Sequence, residues 1–167
     1  MGTATLVPID EYLSTSYEDG DREYVDGEIQ ERNLGEIDHS DLQGAAVSYL
    51  RVRYKGQVWA APEVRVQVKA SRFRVPDVTV ALGAKPSGRI VTVPPFLVIE
   101  ILSPEDRADR VQAKIVDYLE FGIPNVWVID PEEKAVVCYT PAGMTRVSEG
   151  SLRTANPELE LPLSELF

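Results

Sequence analysis

The sequence predicts an α/β domain, a mixed β-sheet with helices packed against it. Three observations carry that prediction. The stretch "PFLVIEILSP" (95–104) is apolar on both alternating faces, the pattern of a strand buried on both sides of a sheet. "EDRADRVQAKIVDYLEFG" follows, with Ala108, Val111, Ile115, Tyr118 and Leu119 as a helical apolar stripe and Gly122 as its stop. Strand and helix patterns alternate along the rest of the 167 residues, a length that suits one domain, 1–167.

Each element has its own signal. "PIDEYLSTS" starts like a helix, with Pro8 at the first turn and Asp10 and Glu11 behind it. "REYVDGEIQER" is a hairpin pattern around Asp26-Gly27. "EIDHSDLQGAAVSYLRVRY" spaces Leu42, Ala45, Ala46, Tyr49 and Leu50 helically, with Asp38 or Ser40 as the cap. "VWAAPEVRVQV" alternates Val64, Val66 and Val68 with Arg65 and Gln67, as a strand with one wet face does. "RVPDVTVAL" is a strand opened by Pro76, and Ser103-Pro104 ends the central strand. In the central strand Phe96, Val98 and Leu102 share one face, and Leu97, Ile99 and Ile101 the other. "NVWVIDP" and "AVVCYT" are two strands joined by the acidic turn "DPEEK", and the tail "LELPLSELF" is apolar enough to pack back on the body.

Composition narrows the function classes. No apolar stretch approaches the roughly 20 residues of a membrane helix. The N-terminus has neither the basic start nor the apolar block of a signal peptide, and Leu6 stands where a myristoylation signal after Gly2 needs Ser or Thr. Cys138 is the single cysteine, a small core hydrophobe rather than a nucleophile. These features favour the cytoplasm. The net charge of −10 argues against a general nucleic-acid coat. Residues 1–33 hold nine acids against two bases, Arg22 and Arg32, whereas 51–74 hold seven bases against Glu63 alone. That basic strip is either the outer face of a solvated hairpin or a surface turned toward a polyanion.

One residue breaks the central strand, Glu100. A buried carboxylate without partners is so costly that such groups are paired or bind metal. Asp77, just after Pro76 in "VPDVTV", interrupts another β-rich run. On neighbouring strands the two carboxylates converge and repel. A hard divalent cation removes that conflict, and oxygen ligands suit Mg²⁺, with Mn²⁺ as the alternative. A buried structural network is the competing reading. With one His and one Cys, zinc is disfavoured. Arg107, Val111, Lys114 and Tyr118 recur at helical spacing, which turns Lys114 inward between stripe members. An inward lysine either orients water at a metal or snorkels at the helix edge and pairs with a carboxylate.

"VPDVTVAL", "PFLVIEILSPEDRADRVQAKIVDYLEFGIPNVWVIDP" and "EYVDGEI" together resemble a bacterial restriction-endonuclease family of the PD-(D/E)XK nuclease superfamily. The resemblance runs down to the "LPLSELF" ending. It implies a restriction-endonuclease-like core, a mixed sheet flanked by helices, preceded by an N-terminal helix and hairpin. It assigns Asp77 and Glu100 as metal ligands, with the carbonyl of Ile101 as a third. The superfamily's strand lysine falls at Leu102, a departure, and the family pattern moves the cation to Lys114 on the following helix. Tyr118, one turn on, also matches the family pattern, and Glu23 corresponds to an N-terminal acid that can join the same metal site. His39, the only histidine, matches a position where the family often has one, although a polar residue near a helix start is the simpler account.

The expected activity is metal-dependent hydrolysis of phosphodiester bonds in nucleic acid, with DNA the expected substrate and a homodimer the expected form. Arg72 and Arg74 in the basic strip and Arg107 at the helix start are the expected nucleic-acid contacts, with Arg110 supporting. Two rivals remain. One is a catalytically weak module that keeps the fold for binding or assembly. The other is a glycosidase with an acid/base pair, which an aromatic share of 8% supports poorly.

Overall fold

A computed structural model of the chain describes residues 5–18, 20–33 and 35–167. The N-terminal stretch read for a targeting signal lies partly outside them. The order is α1 (Ile9–Ser14), β1 (Glu23–Val25), β2 (Glu28–Gln30), α2 (Ile37–Arg53), β3 (Val58–Pro62), β4 (Val66–Lys69), β5 (Arg72–Arg74) and β6 (Val78–Leu82). Then come β7 (Leu97–Ile101), α3 (Ala108–Phe121), β8 (Asn125–Asp130), β9 (Ala135–Thr140) and β10 (Gly143–Val147). A small β11 (Ser151–Arg153) and β12 (Glu160–Pro162) pair precedes a final 3-10 turn at Leu163–Glu165.

The main sheet has the order β10-β9-β8-β7-β6-β3. Only β7 and β8 run parallel, because α3 makes the crossover between them. The sheet is therefore mixed and covered on both faces, as the apolar pattern of β7 requires. All five residues of β7 are buried. On one face Leu97, Ile99 and Ile101 pack with Leu42, Ala46 and Leu50 of α2 and with Leu159, Leu161 and Leu163 of the tail. On the other, Val98 and Leu102 pack with Ile115 and Tyr118 of α3. Glu100 belongs to this second face by alternation. Phe96 departs from its expected face: it precedes the strand and joins the α2 side.

Local chemistry sets the remaining boundaries. Asp26 and Gly27 both take positive φ, 51° and 100°, which closes β1 onto β2 through a two-residue turn. Gly122, at φ 102°, ends α3, and Ile123 donates back to the Tyr118 carbonyl. The expected cap of α2 does not form. Glu36 occupies the N-cap without a side-chain bond, and Asp38 sits inside the first turn.

The single strand expected over 58–68 is two strands in different sheets. Glu63, at φ 50°, breaks it after Pro62. β3 stays at the edge of the main sheet, while β4 joins β5, β1 and β2 in a four-stranded antiparallel sheet. That second sheet covers the N-terminal part through Tyr12, Tyr24 and Phe73, whose rings stack and tilt against one another. It also delivers Glu23 and Arg74 toward α3. Among the described residues no helix is long and apolar enough to cross a membrane. Cys138 is half-buried beside the core, and burial pushes its thiol up to about 11.

Candidate active site

β6 and β7 are antiparallel neighbours, with Val78 opposite Ile99. This pairing places Asp77, one residue before β6, against the end of β7. Asp77 Oδ2 accepts from the backbone N–H of Ile101 at 2.7 Å. Its Oδ1 accepts from Arg32 Nη2 at 2.9 Å and lies 3.2 Å from His39 Nε2. The side-chain amide of Gln43 on α2 fixes the Asp77 carbonyl. Burial opposes the charge of Asp77, but His39, Lys114 and Arg32 overcome it and lower its pKa. The same contact raises the pKa of His39.

Glu100 faces α3. Lys114 Nζ lies 3.0 Å from its Oε2, and the Tyr118 hydroxyl donates to its Oε1. Lys114 Nζ also lies 3.2 Å from Glu23 Oε1. The helical spacing of Lys114 and Tyr118 thus puts an ammonium and a phenol on one buried carboxylate. Two carboxylates share this lysine, and Asp77 adds a more distant negative charge. Burial, with Asp77 and Glu23 nearby, raises Glu100 to about 7 despite Lys114. Lys114 itself is kept charged: burial works against it, and Glu100, Glu23 and Asp77 prevail.

Behind Glu23 stands a buried ion network. Arg74 is 4% exposed; its Nη1 donates to Glu23 Oε2 at 2.9 Å and its Nε to Asp117 Oδ2 at 2.8 Å. Glu23 also accepts from the Val75 N–H. Arg72 joins Asp117 and Asp26. The expectation that Arg74 presents its charge to nucleic acid is therefore corrected. Arg74 is consumed inside the protein, and Arg72 is tied to two carboxylates. Arg107 and Arg110 are both exposed and line the cleft that holds Asp77, Glu100 and Lys114, Arg107 while paired with its neighbour Asp109.

The structure thus brings together Glu23, His39, Asp77, Glu100, Ile101, Lys114 and Tyr118. Two residues of the cluster carried no expectation of a role. Arg32 was visible only as one of two bases in an acidic segment. Asp117, 1% exposed, carries no signal, because an acid on a helix is ordinarily solvated.

The donor set fits a hard cation. Asp77 and Glu100 offer carboxylate oxygens from adjacent strands, and the Ile101 carbonyl belongs to the residue whose N–H holds Asp77. Among the described residues no three His, Cys, Asp or Glu side chains are gathered as a metal set. A backbone oxygen and water would have to complete the shell of any ion held there, as they commonly do for Mg²⁺.

A mixed sheet flanked by helices, with this cleft at the end of its central strands, is a nuclease-like fold. The chain belongs to the Uma2 family, described as putative restriction endonuclease, whose model matches residues 9–166. It is also similar to a solved structure from Anabaena variabilis, a putative nuclease belonging to DUF820. The two share 28% identity and a TM-score of 0.78 over 96% of this chain and 98% of that one. No curated protein matches the sequence.

Proposed function

We propose that this protein is a divalent-metal-dependent endonuclease that hydrolyses phosphodiester bonds in DNA. The observation that carries the reading is the convergence of Asp77, Glu100 and Lys114 in one cleft. Asp77, Glu100 and the Ile101 carbonyl would hold Mg²⁺, or Mn²⁺ in its place. When bound, the ion supplies Lewis acidity toward the phosphate. Lys114, held charged between Glu100 and Glu23, positions the attacking water and offsets charge gathering on the phosphate. Tyr118 fixes the Glu100 carboxyl. Arg107 and Arg110 receive the neighbouring phosphates, and a homodimer would set two such clefts against the two strands.

The test is calorimetric titration of the purified chain with Mg²⁺ and Mn²⁺, followed by cleavage of duplex DNA with and without EDTA. Metal binding with EDTA-sensitive cleavage is expected. Cleavage that survives EDTA removes the metal reading. Metal and duplex binding without cleavage favours the weak binding module, for which the cations already seated on Asp77 speak.

Glu100 adds a pH dependence. A carboxyl titrating near 7 must release its proton to accept a cation, so Mg²⁺ affinity should climb with pH and level off above about 7. The metal-free protein should behave oppositely. A raised carboxyl pKa contributes stability that is present below the ordinary glutamate value and lost as pH rises through about 7. His39, also raised, acts in the same direction as pH climbs past its own pKa. Asp77 and Glu23, both lowered, stay ionised from pH 5 to 8 and contribute no slope there. Melting temperatures of the metal-free protein should fall from pH 5 to 8, and Glu100→Gln should flatten most of that fall. An unchanged slope in Glu100→Gln would place the titration elsewhere.

A further inference from the structure

Arg32 stands at the wall of the cleft, on the segment leading from β2 to α2. Its side chain is 15% exposed. Nη2 reaches Asp77 Oδ1 at 2.9 Å, and Nη1 lies 3.4 Å from Glu63, whose side chain is half-exposed. A guanidinium carries five N–H donors in a rigid fork that matches phosphate oxygens. Here each partner receives one nitrogen, and neither is gripped bidentately.

Arg74 shows how a purely structural arginine looks in the same protein. It is 4% exposed, with Nε and Nη2 on Asp117 and Nη1 on Glu23. Arg32 instead lines the open cleft with donors to spare. His39 Nε2 contacts the same Asp77 oxygen, so Arg32 can turn away without stranding that carboxylate.

Because Arg32 sits 2.9 Å from Asp77, a phosphate oxygen brought to a cation held by Asp77 would come within its reach. We propose that Arg32 is a further catalytic residue, gripping a non-bridging oxygen of the scissile phosphate. The inference rests on the nuclease reading above.

The experiment compares the parent with Arg32→Met and Arg32→Lys in the full chain, after melting curves establish folding. Affinity for a fluorescent DNA duplex is read by anisotropy in Ca²⁺, Mn²⁺ affinity by calorimetry, and cleavage in saturating Mg²⁺. Arg32→Met should lower duplex affinity about tenfold, the loss of one charge-assisted contact, and lower cleavage at least as much. Arg32→Lys should recover part of both, and it carries the comparison where Arg32→Met does not fold. Mn²⁺ affinity should hold or rise, because a cation beside the ligands is gone. Duplex affinity and cleavage at the parental level overturn the proposal. So does a collapse of Mn²⁺ affinity, which would make Arg32 only a support for Asp77. A parent that binds duplex without cleaving overturns the nuclease reading and with it the catalytic role of Arg32, whereas a cleaving parent whose duplex affinity and rate do not depend on Arg32 overturns this proposal alone. A parent that binds no duplex overturns both.

Discussion

Arg74→Met should cost about 3 kcal/mol of stability, because it removes the buried guanidinium between Glu23 and Asp117 and leaves them only their weaker partners, Lys114 on Glu23 and Arg72 with Lys69 on Asp117. For a chain of this size each kcal/mol moves the melting temperature about 2–4 °C, so a drop of roughly 10 °C is expected. Methionine replaces the stem but none of the hydrogen bonds to Asp117 and Glu23. Arg72→Met is the control. Its side chain is 29% exposed and also binds Asp117, so water replaces much of what is lost and the cost should be about 1 kcal/mol or less. Scanning calorimetry of both variants decides the matter. Equal, small shifts would mean that the Arg74 network contributes no more than a surface pair. A large Arg74 shift also changes how binding experiments are read: weakened DNA binding in an Arg74 variant reports unfolding, not a lost phosphate contact.

Much of the fold was legible because it follows from periodicity. β7 announces itself by two apolar faces and α3 by its stripe and terminal glycine. The break at Glu63 was not legible. An alternating valine run continues across it, and only the positive φ at Glu63 separates the edge of one sheet from the edge of another. β5 was hidden for a different reason. "RFR" is too short and too charged to look like a strand, yet one of its charges, Arg74, is buried against Asp117 and Glu23.

The site divides in the same way. Glu100 and Asp77 stood out because an acid inside an apolar strand demands a partner. Sequence alone suggested that the two would face each other as repelling acids. The structure supplies partners from other segments: Arg32 and His39 on Asp77, Lys114 on Glu100. Those partners lie 14 to 45 residues away along the chain, and Arg32 has no periodic pattern to mark it. Lys114 was the exception, since helical spacing turns it inward with Tyr118.

Lys114→Met should lower the hydrolysis rate by about 10²-fold or more, the scale of losing one preorganised electrostatic group. The methionine keeps most of the stem's packing, so the fold should persist. Metal affinity should hold or rise, because the substitution removes an ammonium lying 3.0 Å from Glu100 and 3.2 Å from Glu23 and leaves the proposed ligands in place. This split, with cleavage lost and metal retained, separates a catalytic cation from a ligand or a structural prop. A second substitution sharpens it. Leu102 lies two residues beyond Glu100 on the same face of the chain and lines the same cleft. It occupies the place where the superfamily pattern puts a strand lysine. Leu102→Lys in the Lys114→Met background should therefore restore part of the rate, if a strand-borne ammonium reaches the space that the helix-borne one left. Single-turnover cleavage of a duplex by the parent, the single variant and the double variant provides the comparison. Parental rates in Lys114→Met would reduce Lys114 to an ion-pair partner of Glu100. The catalytic cation would then be sought at the cleft mouth, first at Arg110, whose charge is exposed there rather than held between carboxylates.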